Sequence, residues 1–209
     1  MNEKRMQVVG LCGRSGSGKG YVCRVFEKMG VPSIDTDAVY KSLLVGQEGA
    51  PSPCLSAIVR AFGNGVLDAD GNLNRRALAK IVFAPGSGAR LEQLNSITHK
   101  YIKEQTQREI ALLQEAGASA VLIDAPVLFE SGFDALCDLT FYVRAPLPLL
   151  VQRICARDGI TEEEARRRLD VQMSDSALAA RCDGVILNDG IADVNEQVAE
   201  IIQRFSLLK

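Results

Sequence analysis

Short stretches rich in apolar and β-branched residues recur along the chain, at Met6–Leu11, Val31–Ile34, Ala120–Asp124, Leu139–Val143 and Val185–Leu187. Each is too short for a helix and is bounded by turn residues, which predicts strands buried on both faces, as in a parallel sheet. Between them the apolar positions change period. A helix is predicted from about Lys19 to Met29, closing at Gly30. A second runs from about Arg90 to Glu115 on Leu91, Leu94, Ile97, Tyr101, Ile102, Ile110, Leu112 and Leu113, and Gly117 ends it. Thr161 and Glu164 form a capping-box pattern that opens a charged helix carrying Glu162, Glu163, Arg166, Arg167 and Arg168. Asp193 with Glu196 opens a last helix towards Phe205. Gly46–Pro53 and Asp68–Asn72 are dense in turn formers and read as surface connections. Strands alternating with helices predict an α/β fold with a five-stranded parallel sheet, in a single domain over residues 1–209.

Composition narrows the partners. The chain has 209 residues, 47% hydrophobic and 24% charged, which suits one sizeable core. The formal net charge of −2 leaves no basic surplus to neutralise a nucleic-acid backbone or an anionic membrane, so a small-molecule partner is expected. A monomer or small homo-oligomer is expected. Cys12, Cys23, Cys54, Cys137, Cys155 and Cys182 are scattered without a Cys-x-x-Cys pair, and with a single histidine they give no metal-ligand spacing. Unbridged thiols in a reducing cytoplasm fit that pattern. The apolar run at Met6–Cys12 is too short for a secretion signal, and no stretch approaches the roughly 18 apolar residues of a membrane span.

Gly13-Arg14-Ser15-Gly16-Ser17-Gly18-Lys19 matches Gly-x-x-x-x-Gly-Lys between a predicted strand and a predicted helix, the context of a phosphate-binding P-loop. Glycines let successive backbone N–H groups converge on a phosphate, and the helix N-terminus adds its positive dipole end. Lys19 then reaches the β- and γ-phosphates of ATP. The Ser or Thr that commonly touches Mg²⁺ after this lysine is replaced by Gly20, followed by Tyr21, so the metal is expected on ATP oxygens and water. Asp35 and Asp37 follow the second strand, either as turn and cap residues or as a carboxylate that orients an acceptor hydroxyl.

With these motifs in place, the chain resembles the dephospho-coenzyme A kinases, P-loop NTPase fold enzymes, from Val9 to about Val198. The resemblance rests on the P-loop, on Asp35-Thr36-Asp37, on Phe62-Gly63 with Asp70-Gly71-Asn72-Leu73-Asn74-Arg75-Arg76-Ala77-Leu78, and on Asp124-Ala-Pro-Val-Leu-Phe-Glu130. Arg157-Asp158-Gly159 and Asn188-Asp189-Gly190 extend it. It implies Mg-ATP as phosphoryl donor and dephospho-CoA as acceptor, with Asp37 as base toward the ribose 3′-hydroxyl. It implies Arg157 as the cation closing over the γ-phosphate, a helical acceptor region over about 40–115 and a lid over about 157–181. Nucleotide contacts fall on residues 13–21 and on Asn188, and acceptor contacts on Asp37, Arg75, His99, Asp124 and Glu130. Asp124 is the implied water-mediated magnesium partner.

Two segments depart from the family pattern. Thr98-His99-Lys100 lacks the proline that usually follows the histidine, and Asp175 and Leu178 stand where lid arginines are usual, so that phosphate clamping is either weaker or supplied by Arg153 or Arg168. Gly-Lys-Gly also resembles adenylate kinases. A nucleotide kinase of that type and a catalytically weakened ATP-binding regulator are the alternatives.

Overall fold

The computed structural model describes residues 5–45 and 51–208. Most of the predicted Gly46–Pro53 connection therefore lies outside the described residues. Five parallel strands run β1 (Gln7–Gly13), β2 (Ser33–Asp35), β3 (Ala120–Asp124), β4 (Leu139–Arg144) and β5 (Gly184–Leu187), in the order β2-β3-β1-β4-β5. Nine α-helices occur among the described residues: α1 (Lys19–Lys28), α2 (Thr36–Ser42), α3 (Pro53–Phe62), α4 (Arg75–Val82), α5 (Gly88–Glu115), α6 (Leu147–Asp158), α7 (Glu162–Asp170), α8 (Asp175–Arg181) and α9 (Val194–Phe205). The predicted α/β class with a parallel sheet flanked by helices is the observed fold.

The chain divides into two compact units, residues 1–35 with 110–209 and residues 36–109. The first holds the whole sheet. Its core joins Val9 and Leu11 of β1 and Leu122 of β3 to Val22, Val25 and Phe26, a stripe at i, i+3 and i+4 that turns one face of α1 onto the sheet. Continuous apolar strands are dictated by helices on both faces, since neither face meets water. The second unit is helical and has its own core, in which Cys54 and Ile58 of α3 meet Leu78 and Val82 of α4, with Leu94, Ile97 and Tyr101 of α5 against them.

The second strand starts two residues later than the sequence suggests. Pro32 has no N–H to give a ladder, so its carbonyl accepts from Leu122 N at 2.8 Å and regular pairing begins at Ser33. The following helix opens at Thr36 rather than near Ala38, which places Asp37 in its first turn. The Thr161 capping box and the Asp193 cap form as their sequences predict, and the long helix of the 90–115 region is continuous.

Candidate functional site

The P-loop connects the central strand to α1, so it emerges from the C-terminal end of the sheet at its middle, with β3 on one side and β4 on the other. Its turn needs left-handed backbone at Gly16 and Gly18, with φ of 80° and 84°. Gly18 is the N-cap of α1, and a Cβ there would overlap the amide nitrogen of Asn188. A Cβ on Gly16 would stand 2.7 Å from the Leu150 carbonyl oxygen.

The loop is braced from outside. Asn188, buried at the end of β5, donates from Nδ2 to the Ser17 carbonyl at 2.7 Å. Arg153 of α6 donates to the carbonyls of Gly16 and Ser17, both at 3.3 Å. Gln172 accepts from the Ser15 N–H at 3.0 Å. Arg14 turns away from the loop, donating to the Leu169 carbonyl at 2.8 Å and pairing with Asp175 at 3.3 Å. Asp175 also accepts from the Tyr142 hydroxyl at 2.7 Å and lies 3.6 Å from Arg144. Burial together with this hydrogen bond pushes the Tyr142 phenol well above its ordinary range.

On the other side, Lys19 in the first turn of α1 forms an ion pair with Asp124 at the end of β3, both side chains about 85% buried. Cys23, one turn along α1, donates to Asp124 Oδ2 at 3.2 Å, and burial pushes its thiol up to about 11. Asp35 and Asp124 are register partners at the ends of β2 and β3, so their side chains leave the sheet on the same face. Gly20 and Tyr21 are exposed in the first turn of α1.

A cavity of about 40 Å³ opens beside Cys12, Gly13 and Arg14, walled by the 126–130 turn with Glu130 and by Gln172, Met173 and Leu178. Arg157, near the end of α6, reaches Ser15 Oγ at 3.4 Å while gripping Asp158 with two hydrogen bonds of 2.7 and 2.9 Å. Asp158 also bonds Arg168, and these cations, Arg157 first, hold its carboxyl down at about 2.

The first unit thus brings together residues 13–21, Asp124, Glu130, Arg157 and Asn188 of the sequence-predicted set. Asp37, Arg75 and His99 belong to the second unit. There Asp37 lies exposed in the first turn of α2, Arg75 exposed at the start of α4 behind the Asn74 cap, and His99 half-buried on α5, where burial lowers its imidazole. Sequence reasoning gave Gln172 no contact and treated Asp175 only as an absent arginine. Arg153, named as a substitute phosphate clamp, holds carbonyls of the P-loop.

Among the described residues no three His, Cys, Asp or Glu side chains group as a metal cage. The paired strand-end carboxylates Asp35 and Asp124 nevertheless suit Mg²⁺, which takes one or two carboxylates and otherwise relies on water and substrate phosphate. No described helix is long and apolar enough to cross a membrane.

Known proteins resemble this chain in sequence and in fold. The sequence profile of the family described as dephospho-CoA kinase matches residues 7–193. The dephospho-CoA kinase of Corynebacterium diphtheriae is 40% identical over 202 residues, covering 96% of this chain and 98% of the relative. Among solved structures, TT1252 from Thermus thermophilus superposes with a TM-score of 0.80 at 29% identity, covering 97% of this chain and 98% of that one. A dephospho-CoA kinase from Campylobacter jejuni, at 24% identity and TM-score 0.68 with 97% and 98% covered, shares the fold.

Proposed function

The chain belongs to the dephospho-CoA kinase family, and from that premise we propose that it transfers the γ-phosphate of ATP to the ribose 3′-hydroxyl of dephospho-CoA, giving CoA and ADP, in the cytoplasm. The observation that carries this reading is the P-loop with Lys19 set against Asp124 at the mouth of a parallel sheet.

Backbone N–H groups of residues 13–19 and the N-terminus of α1 take the β-phosphate, and Lys19 follows the charge that builds on the β–γ bridge during transfer. Gly20, Tyr21 and Asn188 complete the nucleotide side. Asp37 accepts the proton of the 3′-hydroxyl as its oxygen attacks the γ-phosphorus, and the β-phosphate oxygen leaves with ADP. Arg157 supplies positive charge to the γ-phosphate as the 157–181 segment closes and excludes water. Arg75 and His99, in an acceptor region over about 40–115, bind the acceptor, as do Asp124 and Glu130. Asp124, with Asp35 beside it, would hold Mg²⁺ through water, and the ion would supply charge neutralisation on the phosphates.

The test is ADP release from Mg-ATP with dephospho-CoA, AMP or no acceptor. Turnover is expected with dephospho-CoA alone, and acceptor-dependent turnover only with AMP would overturn the substrate. Asp37→Asn should keep ATP binding and lower turnover about a hundredfold or more. Near-normal turnover in that variant would remove Asp37 from the mechanism.

A further inference from the structure

The sulfur atoms of Cys12 and Cys182 lie 3.5 Å apart, although the residues are 170 positions apart in the chain. Cys12 is the penultimate residue of β1, immediately before the first P-loop glycine. Cys182 caps the C-terminal end of α8 in extended backbone and leads into β5. Both backbones are fixed. Cys12 pairs in register with Tyr142 on β4. Next to Cys182, Asp183 donates its N–H to the Thr140 carbonyl at 2.9 Å, and its carboxylate accepts from Thr140 N at 2.7 Å and Oγ1 at 3.1 Å. Other thiols contact oxygen instead, Cys23 at Asp124 and Cys137 at the Phe133 carbonyl.

We propose that Cys12 and Cys182 are an oxidisable dithiol that hydrogen peroxide converts to an intrachain disulfide, clamping the end of α8 to the strand that carries the P-loop.

The two thiols have unequal chemistry. The Cys12 hydrogen bond, with help from Thr140 and Arg181 and against partial burial and Asp183, draws the Cys182 thiol below its ordinary value. Its partner is pushed the other way, first by that bond and then by burial, with Glu130 adding to the rise and Lys19 opposing it. Cys182 is half-buried and Cys12 buried, so the more acidic thiol is also the more accessible of the two. A peroxide meets the Cys182 thiolate, which takes one oxygen to become a sulfenic acid while the other oxygen leaves as hydroxide. Cys12 sulfur then attacks the Cys182 sulfur, the sulfur–oxygen bond breaks, and the Cys12 proton leaves with that oxygen as water. In sum, two thiols and one peroxide give one disulfide and two waters. Closing the pair to a bond of about 2.05 Å takes roughly 1.5 Å of approach, within reach of side-chain rotation.

The far end of α8 is already tied, because Asp175 grips Arg14 of the P-loop. At the Cys182 end the hold from the helix's last residue is non-covalent, Arg181 stacked on Phe129 with its carbon 4.1 Å from the ring centre and paired with Asp134 at 3.5 Å. A covalent bond at Cys182 anchors both ends of α8 and removes its freedom to move with the lid segment.

The experiment treats the full chain with hydrogen peroxide, quenches it in denaturant with an alkylating agent, and maps the disulfide by peptide mass spectrometry. A Cys12–Cys182 bridge reversed by dithiothreitol is expected, with a melting midpoint raised by about 5 °C or more, because the bridge closes a long loop. Cys182→Ser should abolish both. Sulfinic or sulfonic adducts on Cys182 without the bridge, or a bridge between other cysteines, would overturn the proposal. Turnover of the bridged protein should fall about tenfold or more and return on reduction, and unchanged turnover in a bridged sample would sink the clamp. The mass and melting readouts do not depend on which acceptor the enzyme uses, so failure here and failure of the kinase assignment are told apart.

Discussion

The loop over residues 13–19 takes its shape from its own backbone, whereas the segment over 157–181 acts on that loop through long side chains. In the loop, positive-φ glycines and the start of α1 set where the N–H groups lie, and the chemistry reads directly from the spacing of glycines and lysine. In the segment, Arg157, Gln172 and Asp175 reach back 142 to 161 residues to touch Ser15 and Arg14. The loop is a cradle set by backbone and the segment a frame of side chains around it, and damage to the two should register differently.

The largest effect is expected inside the cradle. Lys19→Met removes the cation from the β–γ bridge and leaves Asp124 buried without it, so turnover should fall about a thousandfold and the melting midpoint should drop. A turnover loss below tenfold would detach Lys19 from catalysis. Next comes the frame. Asp175→Asn keeps an acceptor for the Tyr142 hydroxyl but drops the charge that pairs with Arg14 and Arg144, so the KM for ATP should rise about tenfold while kcat stays within about threefold. A fall in kcat at constant KM would instead place Asp175 in the chemical step.

Effects confined to the frame's own stability should be smaller. Thr161→Ala removes the α7 cap at a cost of about 1 kcal/mol, or about 2–4 °C in melting midpoint. The smallest belongs to exposed Asp158. Its carboxyl lies below the ordinary value of 3.8, so its contribution is present above that pH and is lost as pH falls through about 2. Asp158→Asn should therefore lower the midpoint by less than about 2 °C at neutral pH, with the difference from the parent vanishing near pH 2. A difference that persists at pH 2 would assign the effect to packing and not to charge.

What the sequence revealed divides along the same line. The strands at 120–124 and 139–144, the P-loop, the Thr161 box and the Asp193 cap all follow from period, turn residues or local capping, which neighbouring positions determine. Asp175 could not be assigned a partner that way. Its meaning depends on Arg14, Tyr142 and Arg144, which only tertiary folding brings to one carboxylate. Asn188 was legible as a residue of the site, but its grip on the Ser17 carbonyl depends on β5 lying beside β4. The Cys12–Cys182 contact is invisible for the same reason, since six scattered cysteines give no pairing until the fold sets two of them side by side.

The sheet's outer margins have a consequence for how the chain behaves at high concentration. Its outermost strands are its shortest, three residues in β2 and four in β5, against five to seven in the interior. Unpaired N–H and C=O groups on a sheet rim are a template on which a stranger's strand can zip, and the hazard grows with rim length. Here each rim offers so few such groups that the long apolar strands stay shielded, and crowding should not readily seed aggregates from this fold.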